Sequence, residues 1–536
     1  MTGPEPHAHA HEAAHAGAPA SPSSPGGRHR PQRELRDKSF GSSLGWTAAG
    51  TLLPGLGLTR TRARVLGLIL LVLFVLAVAF AAVGALLARD LALSFLVLPG
   101  VLTGAWVVTI VFGVLWAGSI AATHLMLRPA NPPLWQRLLG SLVVGVLALG
   151  VTTASFLTAR SIRDTALLVD SVFGQNGAEP ITDNDEPFGN ATDPWANKPR
   201  LNVLILGGDA GAGREGTRTD TVILASIDTK TGKTVLFSLP RQTARMPFPT
   251  WSPLHTLFPD GFTNGNGLDQ NYALNAIYDT VPRVAPDALT GVEDPGAEAL
   301  KQAVGEALGL RVDYYAMLNM DGFVEFVNAL GGITVNINSP VPVGGKNPTR
   351  VGGSDGFPPD RWLVPGPNQK LNGTDALWFA RGRYHTTDYA RMSRQRCVIQ
   401  AVVQQAQPAT VLANYEALTK ASSRIVATDV PNRQLPRMVS LGLRVKDAAM
   451  TSVSFENDKD GFSTVNPDWQ LVRERVQLAI NPPPAPTATP SPTPSPLPTA
   501  SAVPTASPTA SATPAPPSSV LDECAYNPAP WPPTEE

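Results

Sequence analysis

Hydrophobic residues are concentrated in the first third of the 536-residue chain, where long apolar runs alternate with short polar segments. The runs cover about residues 65–87, 101–125 and 138–158. Each is long enough for a helix that crosses a bilayer, which needs roughly 20 consecutive apolar residues. The pattern therefore predicts three transmembrane helices.

Charges around these runs predict how the chain is oriented, because Lys and Arg are retained on the cytoplasmic side of a membrane. The basic residues before the first run are Arg28, Arg30, Arg33, Arg36, Lys38, Arg60, Arg62 and Arg64. Arg128 and Arg137 separate the second run from the third, whereas the first loop holds only the offsetting pair Arg89 and Asp90. The chain after the third run is therefore predicted to lie outside the membrane.

Composition divides the chain into five segments. Residues 1–64 are expected to be cytoplasmic, basic and largely disordered, and residues 65–158 form the transmembrane region. Residues 159–199 are polar and predict a short helix followed by a linker. Residues 200–480 alternate helix and strand signals, which predicts an extracytoplasmic α/β domain with a central, mostly mixed sheet. Residues 481–536 are rich in Pro, Thr, Ser and Ala and are expected to stay extended, as a spacer through a cell wall.

Two aspartates of this domain stand beside predicted strands. Residues 201–206 form an apolar strand that leads to Asp209, and Asp220 stands just before a second strand, residues 221–228. Open α/β sheets bind ligands at the C-terminal ends of strands, and two carboxylates can hold Mg²⁺. The alternative is that both are ordinary loop residues. The intervening loop, GGDAGAGREG, lacks the GxGxxG and GxxxxGK[ST] patterns of nucleotide-binding loops.

Arginines at two further places indicate an anion site. A third strand, residues 234–238, leads to Arg241, and Arg381 and Arg383 follow an apolar run that is predicted to be a strand. On a strand, these last two side chains would point to one face. Converging guanidinium groups match phosphate oxygens, and the formal net charge of only −1 makes the cluster a local feature. The alternative is that each arginine is a solvated surface charge.

A helix is predicted over the residues that follow. Arg391, Arg394 and Gln395 stand at positions i, i+3 and i+4, which puts their side chains on one face of a helix. Asp388 lies among the arginines and is interpreted either as a structural partner of Arg391, which we prefer, or as a general base.

The only two cysteines, Cys397 and Cys524, both fall on the predicted outer side of the membrane. A disulfide is permitted in that compartment. The alternative is two separate thiols, because sequence does not supply the geometry that a disulfide requires.

Four separated segments, taken together, resemble the LytR-CpsA-Psr family of cell-wall glycopolymer ligases. They read NVLILGGDAGAGREGTRTDTVILASID, VLFSLPRQT, ALNAIYD and LNGTDALWFARGRYHTTDYARMSRQRCVIQAV. The resemblance covers roughly residues 201–407 and agrees in both the type and the order of the motifs. Several membrane spans and the PGLGL segment at Pro54 are similar to actinobacterial members.

The resemblance implies a Mg²⁺ site at Asp209 and Asp220. It also implies a set of residues that grip a pyrophosphate, namely Arg218, Arg241, Arg381, Arg383, Arg391 and Gln395. Two positions depart from the family pattern. Gln242 stands where an aspartate usually follows the arginine, and Ala273 stands where a lysine is often found. Arg245 is a candidate to supply the missing charge.

The function that the resemblance implies is phosphoryl transfer in cell-wall assembly. A membrane-anchored, Mg²⁺-dependent enzyme would move a glycopolymer from a polyprenyl-pyrophosphate carrier to a peptidoglycan hydroxyl. The polyprenyl chain would bind among apolar helices, and the candidates are residues 272–277, 297–308 and 323–330. The alternative is that these helices belong to an ordinary hydrophobic core.

Two alternatives remain for the function. A hydrolase would cleave the polyprenyl pyrophosphate with water, and a scaffold protein would bind the lipid without catalysis. No nucleic-acid partner is expected, because the arginine-rich domain is predicted outside the membrane and no helix-turn-helix pattern accompanies it.

Overall fold

The computed structural model describes most of the membrane region and of the domain that follows it. The described residues are 39–87, 99–173, 195, 197–209, 217–344, 359–383, 386–406, 426–431, 434–482 and 516–528. The predictions made for residues 1–38, for the pair Arg89 and Asp90, and for most of the Pro-rich segment lie outside the described residues.

Three helices are long and apolar enough to cross a membrane. They are α2 (Arg64–Leu87), α3 (Pro99–Leu127) and α4 (Leu134–Phe173). Their large apolar side chains are mostly exposed, as at Phe80, which is 83% exposed. The prediction of three apolar N-terminal helices is confirmed. α4 continues beyond the expected end of the third span, so the predicted short helix of the linker is part of it.

Residues just before the first span also have regular structure. Helix α1 (Phe40–Leu52) packs against α3 and α4, where Trp116 Nε1 donates to the Gly50 carbonyl at 3.0 Å. A 3-10 turn, Gly57–Arg60, then leads into α2. The turn packs closely, because a Cβ on Gly57 would lie 2.7 Å from the Trp46 carbonyl oxygen. The expectation of a largely disordered segment up to residue 64 is wrong for this part of the chain.

A seven-stranded mixed sheet forms the centre of the second domain, in the order β11-β10-β3-β2-β1-β4-β9. Its strands are β1 (Arg200–Gly208), β2 (Thr219–Asp228), β3 (Thr234–Ser238), β4 (Tyr314–Leu318), β9 (Val426–Thr428), β10 (Met450–Ser454) and β11 (Ser518–Ser519). β1 runs parallel to β4, and β3 runs parallel to β10, while β2 is antiparallel to both of its neighbours. β1, β3, β4 and β10 therefore all end at one edge, called here the C-terminal edge.

Helices cover both faces of this sheet. The remaining helices are α5 (Pro253–Leu257), α6 (Ile277–Val284), α7 (Pro295–Leu308), α8 (Met320–Ala329), α9 (Gly373–Arg381), α10 (Asp388–Gln405), α11 (Leu435–Lys446), α12 (Trp469–Ile480) and α13 (Val520–Glu523). Leu204 and Leu224 bury one face against α7 and α12. Ile223 and Leu236 bury the other face beside Ile399 of α10. Alternate strand residues thus serve two separate cores.

Two small hairpin sheets complete the α10 side. They pair β5 (Ile333–Ile337) with β8 (Gly366–Leu371), and β6 (Val341–Val343) with β7 (Arg361–Leu363). Their buried residues pack with α9 and α10 in a core of their own. The predicted fold class, three apolar helices followed by a mixed α/β domain, is therefore confirmed.

The segment before Arg381 is a helix, α9, and the prediction of a strand there is wrong. Asn372 is the helix N-cap and its side chain accepts from the amide of Asp375, which itself lies in the first turn. This capping pattern, Asn followed three residues later by an acidic residue, favours a helix start over the strand suggested by the apolar run. Arg381 ends the helix and Arg383 follows its C-cap, Gly382.

The end of the chain returns to the domain instead of leaving it. β11 pairs with β10, and a disulfide joins Cys524 to Cys397 of α10 with their Cα atoms 5.5 Å apart. Arg396 also forms an ion pair with Glu523, at 2.9 Å. The disulfide that the sequence left open is present, and the prediction of an extended spacer is wrong for residues 516–528, which pack on the domain.

The long apolar helices contact the domain through a small buried cluster. Leu102 of α3 and Leu435 of α11 form a small buried cluster with Ile162 and Ala166 of α4. Leu102 lies near the start of α3, and the other two lie in the extension of α4 beyond its predicted span. The ends of α3 and α4 that touch the domain are therefore on the same side.

Cys524→Ser should destabilise the domain by removing a bond that closes a loop of 127 residues. We expect a loss of about 2–5 kcal/mol, seen as a lower midpoint of thermal unfolding. Leu521→Ser is the control, because this side chain is exposed on the same helix and should change the midpoint little. A reductant should lower the midpoint of the wild type but not that of Cys524→Ser; equal effects on both would contradict the assignment.

Candidate functional site

The predicted aspartates lie at neighbouring strand ends on the C-terminal edge of the sheet. Gly208, at the end of β1, pairs with Thr219, at the start of β2. Asp209 therefore directly follows β1, and Asp220 is the second residue of the adjacent, antiparallel strand β2. The amide of Asp209 donates to the carbonyl of Arg218 at 2.8 Å, which extends this pairing by one residue. Both aspartates line the same cavity.

This cavity has a volume of about 370 Å³ and is mostly apolar. β1 and β4 form its floor, while α8, α9 and α10 form its walls. The apolar lining includes Ile205, Leu206, Ala316, Leu318, Met320, Phe323, Phe326, Leu377, Val398, Ile399, Val402 and Val403. Among the apolar segments proposed from the sequence, only residues 323–330 contribute here. Residues 272–277 and 297–308 instead pack in the core on the opposite face.

Charged and polar side chains line the same cavity at one end. They include Asp209, Asp220, Arg381, Arg383, Arg391 and Gln395. Arg381 Nη2 lies 3.3 Å from Asp209 Oδ1, and Arg391 Nη1 donates to the backbone carbonyl of Asp220 at 2.8 Å. Residues more than 170 positions apart in sequence thus converge on the β1 and β2 ends. The cavity is amphipathic, with an apolar interior and a charged end.

Asp388 connects three of the arginines. Its carboxylate accepts from Arg391 Nε and Nη2, both at 3.0 Å, and from Arg383 Nη1 at 3.1 Å. Arg241 Nε lies 3.7 Å away. Burial by itself would raise the pKa of Asp388, but the hydrogen bonds and charge of Arg391, with Arg241 and Arg383, lower it below its ordinary value. A carboxylate held ionised in this way is a weak base, so the geometry favours the structural role over the general base.

Asp220 is the second carboxylate that arginines hold ionised. Arg241 Nη1 lies 2.7 Å from its Oδ1, and Asn275 Nδ2 donates to the same oxygen at 3.4 Å. Burial would raise the pKa of Asp220, but Arg241, Arg391 and the Asn275 amide together lower it. Arg241 therefore bridges Asp220 and Asp388, although it is not among the residues that line the cavity.

Asp209 and Asp220 fit the ligand preference of Mg²⁺. This ion binds oxygen ligands and usually takes one or two carboxylates, with water and substrate phosphate in the remaining positions. No group of three or more His, Cys, Asp or Glu converges anywhere in the described ranges. A metal held by this pair would take its other ligands from water and, once the substrate is bound, from its phosphate oxygens.

Arg394 was predicted on the same helix face as Arg391 and Gln395, but it does not line the cavity with them. It is 9% exposed, and its guanidinium donates to the carbonyls of Phe379, at 2.8 Å, and of Gly382. Burial lowers the pKa of Arg394 to about 10. Because these carbonyls belong to the C-terminal end of α9, a cation is favourable there. Arg394 thus fixes the turn that carries Arg381 and Arg383.

The remaining predicted positions are more peripheral. Arg218 is exposed and donates through Nη2 to Asn271 Oδ1 at 2.7 Å, so it does not line the cavity. Gln242 is exposed, and Arg245 lies in a separate cleft, adjacent to the bridge between Ala244 and Ala273. The assignment of pyrophosphate contacts to individual residues stays a prediction.

Sequence reasoning missed the contribution of α10 to the cavity. Arg391, Gln395, Val398 and Val402 follow one another at spacings of four and three, so one helix face begins charged and continues apolar. This periodicity is visible in the sequence and predicts that one face of α10 is charged at its start and apolar further along. The contact between Asn275 and Asp220 had no such signal, because a stretch of 55 residues separates them.

The fold and the site agree with a comparison to known families. A model described as the LytR_cpsA_psr family matches residues 173–477, which is more than half of the chain. The chain therefore belongs to the LytR_cpsA_psr family.

Individual relatives are distant. Biofilm regulatory protein A of Streptococcus mutans is 25% identical over 307 residues, covering 55% of this chain and 66% of that protein. The polyisoprenyl-teichoic acid–peptidoglycan teichoic acid transferase TagU of Oceanobacillus iheyensis is 30% identical over 230 residues, covering 42% and 56%. The TagU protein of Enterococcus faecalis is 27% identical over 291 residues, covering 53% and 80%. The match thus spans just under two thirds of the first of these proteins and just over half of the second.

Solved structures show weaker likeness over the whole chain. Protein gbs0355 from Streptococcus agalactiae is 24% identical, with 52% of this chain and 88% of that chain covered and a TM-score of 0.38. The LytR-Csp2A-Psr enzyme from Actinomyces oris is 19% identical, with coverage of 52% and 88% and a TM-score of 0.34. At these TM-scores the likeness adds nothing to the family assignment.

The stability of the Asp388→Asn variant should fall less than that of the wild type as the pH is lowered from 7. Asp388 has a lowered pKa in the folded protein, so its stabilising contribution is present above the unfolded pKa of about 4 and is lost as pH falls through the lower, folded value. At pH 7 we expect the variant to lose about 3 kcal/mol, or about 6–12 °C in the midpoint of thermal unfolding. Thermal unfolding of both proteins between pH 7 and about pH 2 measures this.

Asp279→Asn is the matched control. Asp279 pairs with Arg283, whose side chain is 63% exposed, and an exposed pair of this kind is worth less than about 1 kcal/mol. If Asp388→Asn and the wild type showed parallel profiles from neutral to acid pH, Asp388 would not be the ion that holds the arginines together.

Proposed function

We propose that this protein is a membrane-anchored phosphotransferase that moves a glycopolymer from a polyprenyl-pyrophosphate carrier to a hydroxyl of peptidoglycan. The observation that carries the proposal is the amphipathic cavity, in which an apolar interior ends at two carboxylates and a group of arginines. Such a cavity suits a lipid chain with a pyrophosphate at its end. The relatives named as transferases of teichoic acid to peptidoglycan support the same reaction class.

The donor would bind with its polyprenyl chain against the apolar lining and its pyrophosphate among Arg381, Arg383 and Arg391. Arginine forks bind phosphate oxygens through paired hydrogen bonds. Arg391 is 4% exposed and already fixed by Asp388, so its remaining donor geometry is set before substrate arrives. Fixed donors that need no reorganisation are the largest contribution that a protein makes to this kind of reaction.

In the transfer step the acceptor oxygen forms a bond to the phosphorus next to the glycan. The bond between that phosphorus and the bridging oxygen breaks, the bridging oxygen leaves with the electron pair as polyprenyl phosphate, and the hydroxyl proton passes to water. Phosphoryl transfer requires alignment and neutralisation of charge more than covalent help. The arginines supply the neutralisation, and Asp388 and Arg394 hold them in place.

We also propose that Asp209 and Asp220 hold Mg²⁺. When bound, the ion would neutralise charge on the phosphate oxygens. Replacing Asp220 by Ala should weaken the binding of Mn²⁺, measured directly by titration without donor, by about tenfold or more. Asp279→Ala, which removes a half-buried carboxylate on α6 outside the cavity lining, is the control. Equal Mn²⁺ affinity in the wild type and Asp220→Ala would remove the metal site from the proposal.

Several observations support an extracytoplasmic position for the domain, with the protein crossing the membrane three times. The basic flanks predict it, and both cysteines of the chain form a disulfide, which persists in oxidising compartments. The contact of Leu102, Ile162 and Ala166 with Leu435 is consistent with α3 starting and α4 ending on the domain's side. The enzyme would then stay beside a carrier that cannot leave the bilayer.

Transfer should require the residues at the charged end of the cavity. With the full chain, a polyprenyl-pyrophosphate-linked saccharide and purified peptidoglycan, we expect Asp209→Ala and Arg391→Ala to lower kcat/KM for transfer by about 100-fold or more. Arg283→Ala, an exposed arginine on α6, should leave transfer unchanged. A donor with a short prenyl chain should show a higher KM than one with a long chain, because it buries less apolar surface.

The same assay and a test in cells separate the two alternatives. Release of polyprenyl phosphate at the same rate with and without peptidoglycan would identify a hydrolase. If glycopolymer attachment in cells is unchanged by Asp209→Ala and by Arg391→Ala but is abolished by deletion of the gene, catalysis at this site is excluded and the scaffold role is left.

A further inference from the structure

A second cleft lies at the C-terminal edge of the sheet, on the other side of the charged cluster from the apolar cavity. Its volume is about 250 Å³. Polar and aromatic side chains from three loops line it, among them Arg245, Thr263, Asp269, Tyr272 and Asn466. None of these residues belongs to the lining of the apolar cavity or has a part in the proposed reaction described above.

The wall of this cleft is continuous with the backbone that carries the charged cluster. Ala244 and Ala273 form a β-bridge, and the amide of Asn275 donates to the carbonyl of Arg241 at 3.0 Å. Asn275 in turn contacts Asp220, and Tyr272 stands only three residues before it. The cleft therefore opens within a few residues of the carboxylate that faces the apolar cavity.

The strand order puts the two cavities on opposite sides of the aspartates. The apolar cavity lies against β4 and β1, whereas the cleft is lined by the loops that follow β3 and β10. Across the sheet the order is β4, β1, β2, β3, β10, and Asp209 and Asp220 belong to the two strand ends between the cavities. A ligand in the cleft thus approaches the aspartates from the side away from the apolar cavity.

That placement matches the geometry of phosphoryl transfer. The attacking and leaving oxygens lie roughly in line with the phosphorus between them. If polyprenyl phosphate leaves into the apolar cavity, the acceptor hydroxyl must come from the opposite side. We propose that the cleft is the acceptor subsite and that it binds the amino-sugar chain of peptidoglycan; this inference rests on the proposed function.

The chemistry of the lining fits a saccharide. Tyr272 is half-buried, with its ring centroid 4.9 Å from that of buried Phe262, so a rigid aromatic surface forms one wall. Asp269 accepts from Asn264 Nδ2 and from the amide of Asn271, both at 2.8 Å, which fixes the loop beside it. An aromatic surface flanked by amide, hydroxyl and charged groups can meet both the apolar face and the hydroxyls of a sugar ring.

Arg245 gives an independent indication. Its φ is 51°, in the left-handed region that favours glycine, and Gly261 packs against its carbonyl, 2.6 Å from where a Cβ would lie. A non-glycine residue in this conformation, at the rim of a cleft, points to a function for the side chain, since strained residues cluster at binding sites. Glycine would relax the backbone and remove the whole arginine side chain.

Arg245→Gly and Asn466→Ala test the acceptor subsite without threatening the fold. Both side chains are exposed, and the first change relieves backbone strain. With the full chain and soluble, uncrosslinked glycan strands as acceptor, each variant should raise the acceptor KM by about tenfold. The donor KM and the acceptor-independent release of polyprenyl phosphate should stay within about twofold of the wild type. Arg283→Ala is the control arginine.

Direct binding of the same glycan strands, measured calorimetrically without donor, distinguishes failure of this inference from failure of the proposed function. Weaker binding by both variants supports the subsite even if the wild type transfers nothing. Unchanged glycan binding and unchanged acceptor KM would overturn it. An equal rise of donor KM and acceptor KM would also overturn it, because the cleft would then hold the saccharide of the donor.

Discussion

The charged end of the cavity depends on one ionised carboxylate, that of Asp388. Arg241 comes from one part of the chain and Arg383 and Arg391 from another, and their like charges repel one another in a partly buried place. Asp388 offers both oxygens to them and stays ionised because they surround it. The cluster can therefore keep a net positive charge for an anionic ligand while its members remain fixed in position.

Helix α10 transmits that arrangement to the rest of the fold. Its first turns carry Asp388, Arg391 and Gln395, its middle lines the apolar cavity, and Cys397 on the same helix is bonded to the end of the chain. The C-terminal strand and the ion pair between Arg396 and Glu523 hold it from the far side. A segment after a long Pro-rich stretch thus supports a site that is distant in sequence, and its attachment also closes the edge of the sheet.

Prediction from the sequence succeeded where the signal was local. Three apolar runs, the boundaries of β3 and the proximity of Asp209 to a strand end all follow from hydrophobic pattern and turn residues. It failed where two local signals competed. The apolar run before Arg381 suggested a strand, but the cap at Asn372 decides in favour of a helix. Spacing put Arg394 on one helix face with Arg391 and Gln395, yet the guanidinium of Arg394 donates to carbonyls at the end of α9.

The sequence by itself determined the membrane spans, the α/β class of the domain and the residue types of an anion site, because periodicity and composition act over short distances. Only the tertiary structure decided which carboxylate each arginine meets, that the cavity is apolar at one end and charged at the other, and that the chain end returns to α10. These are contacts between residues far apart in sequence. Their energy depends on packing and on charges brought together by folding, which no local pattern contains.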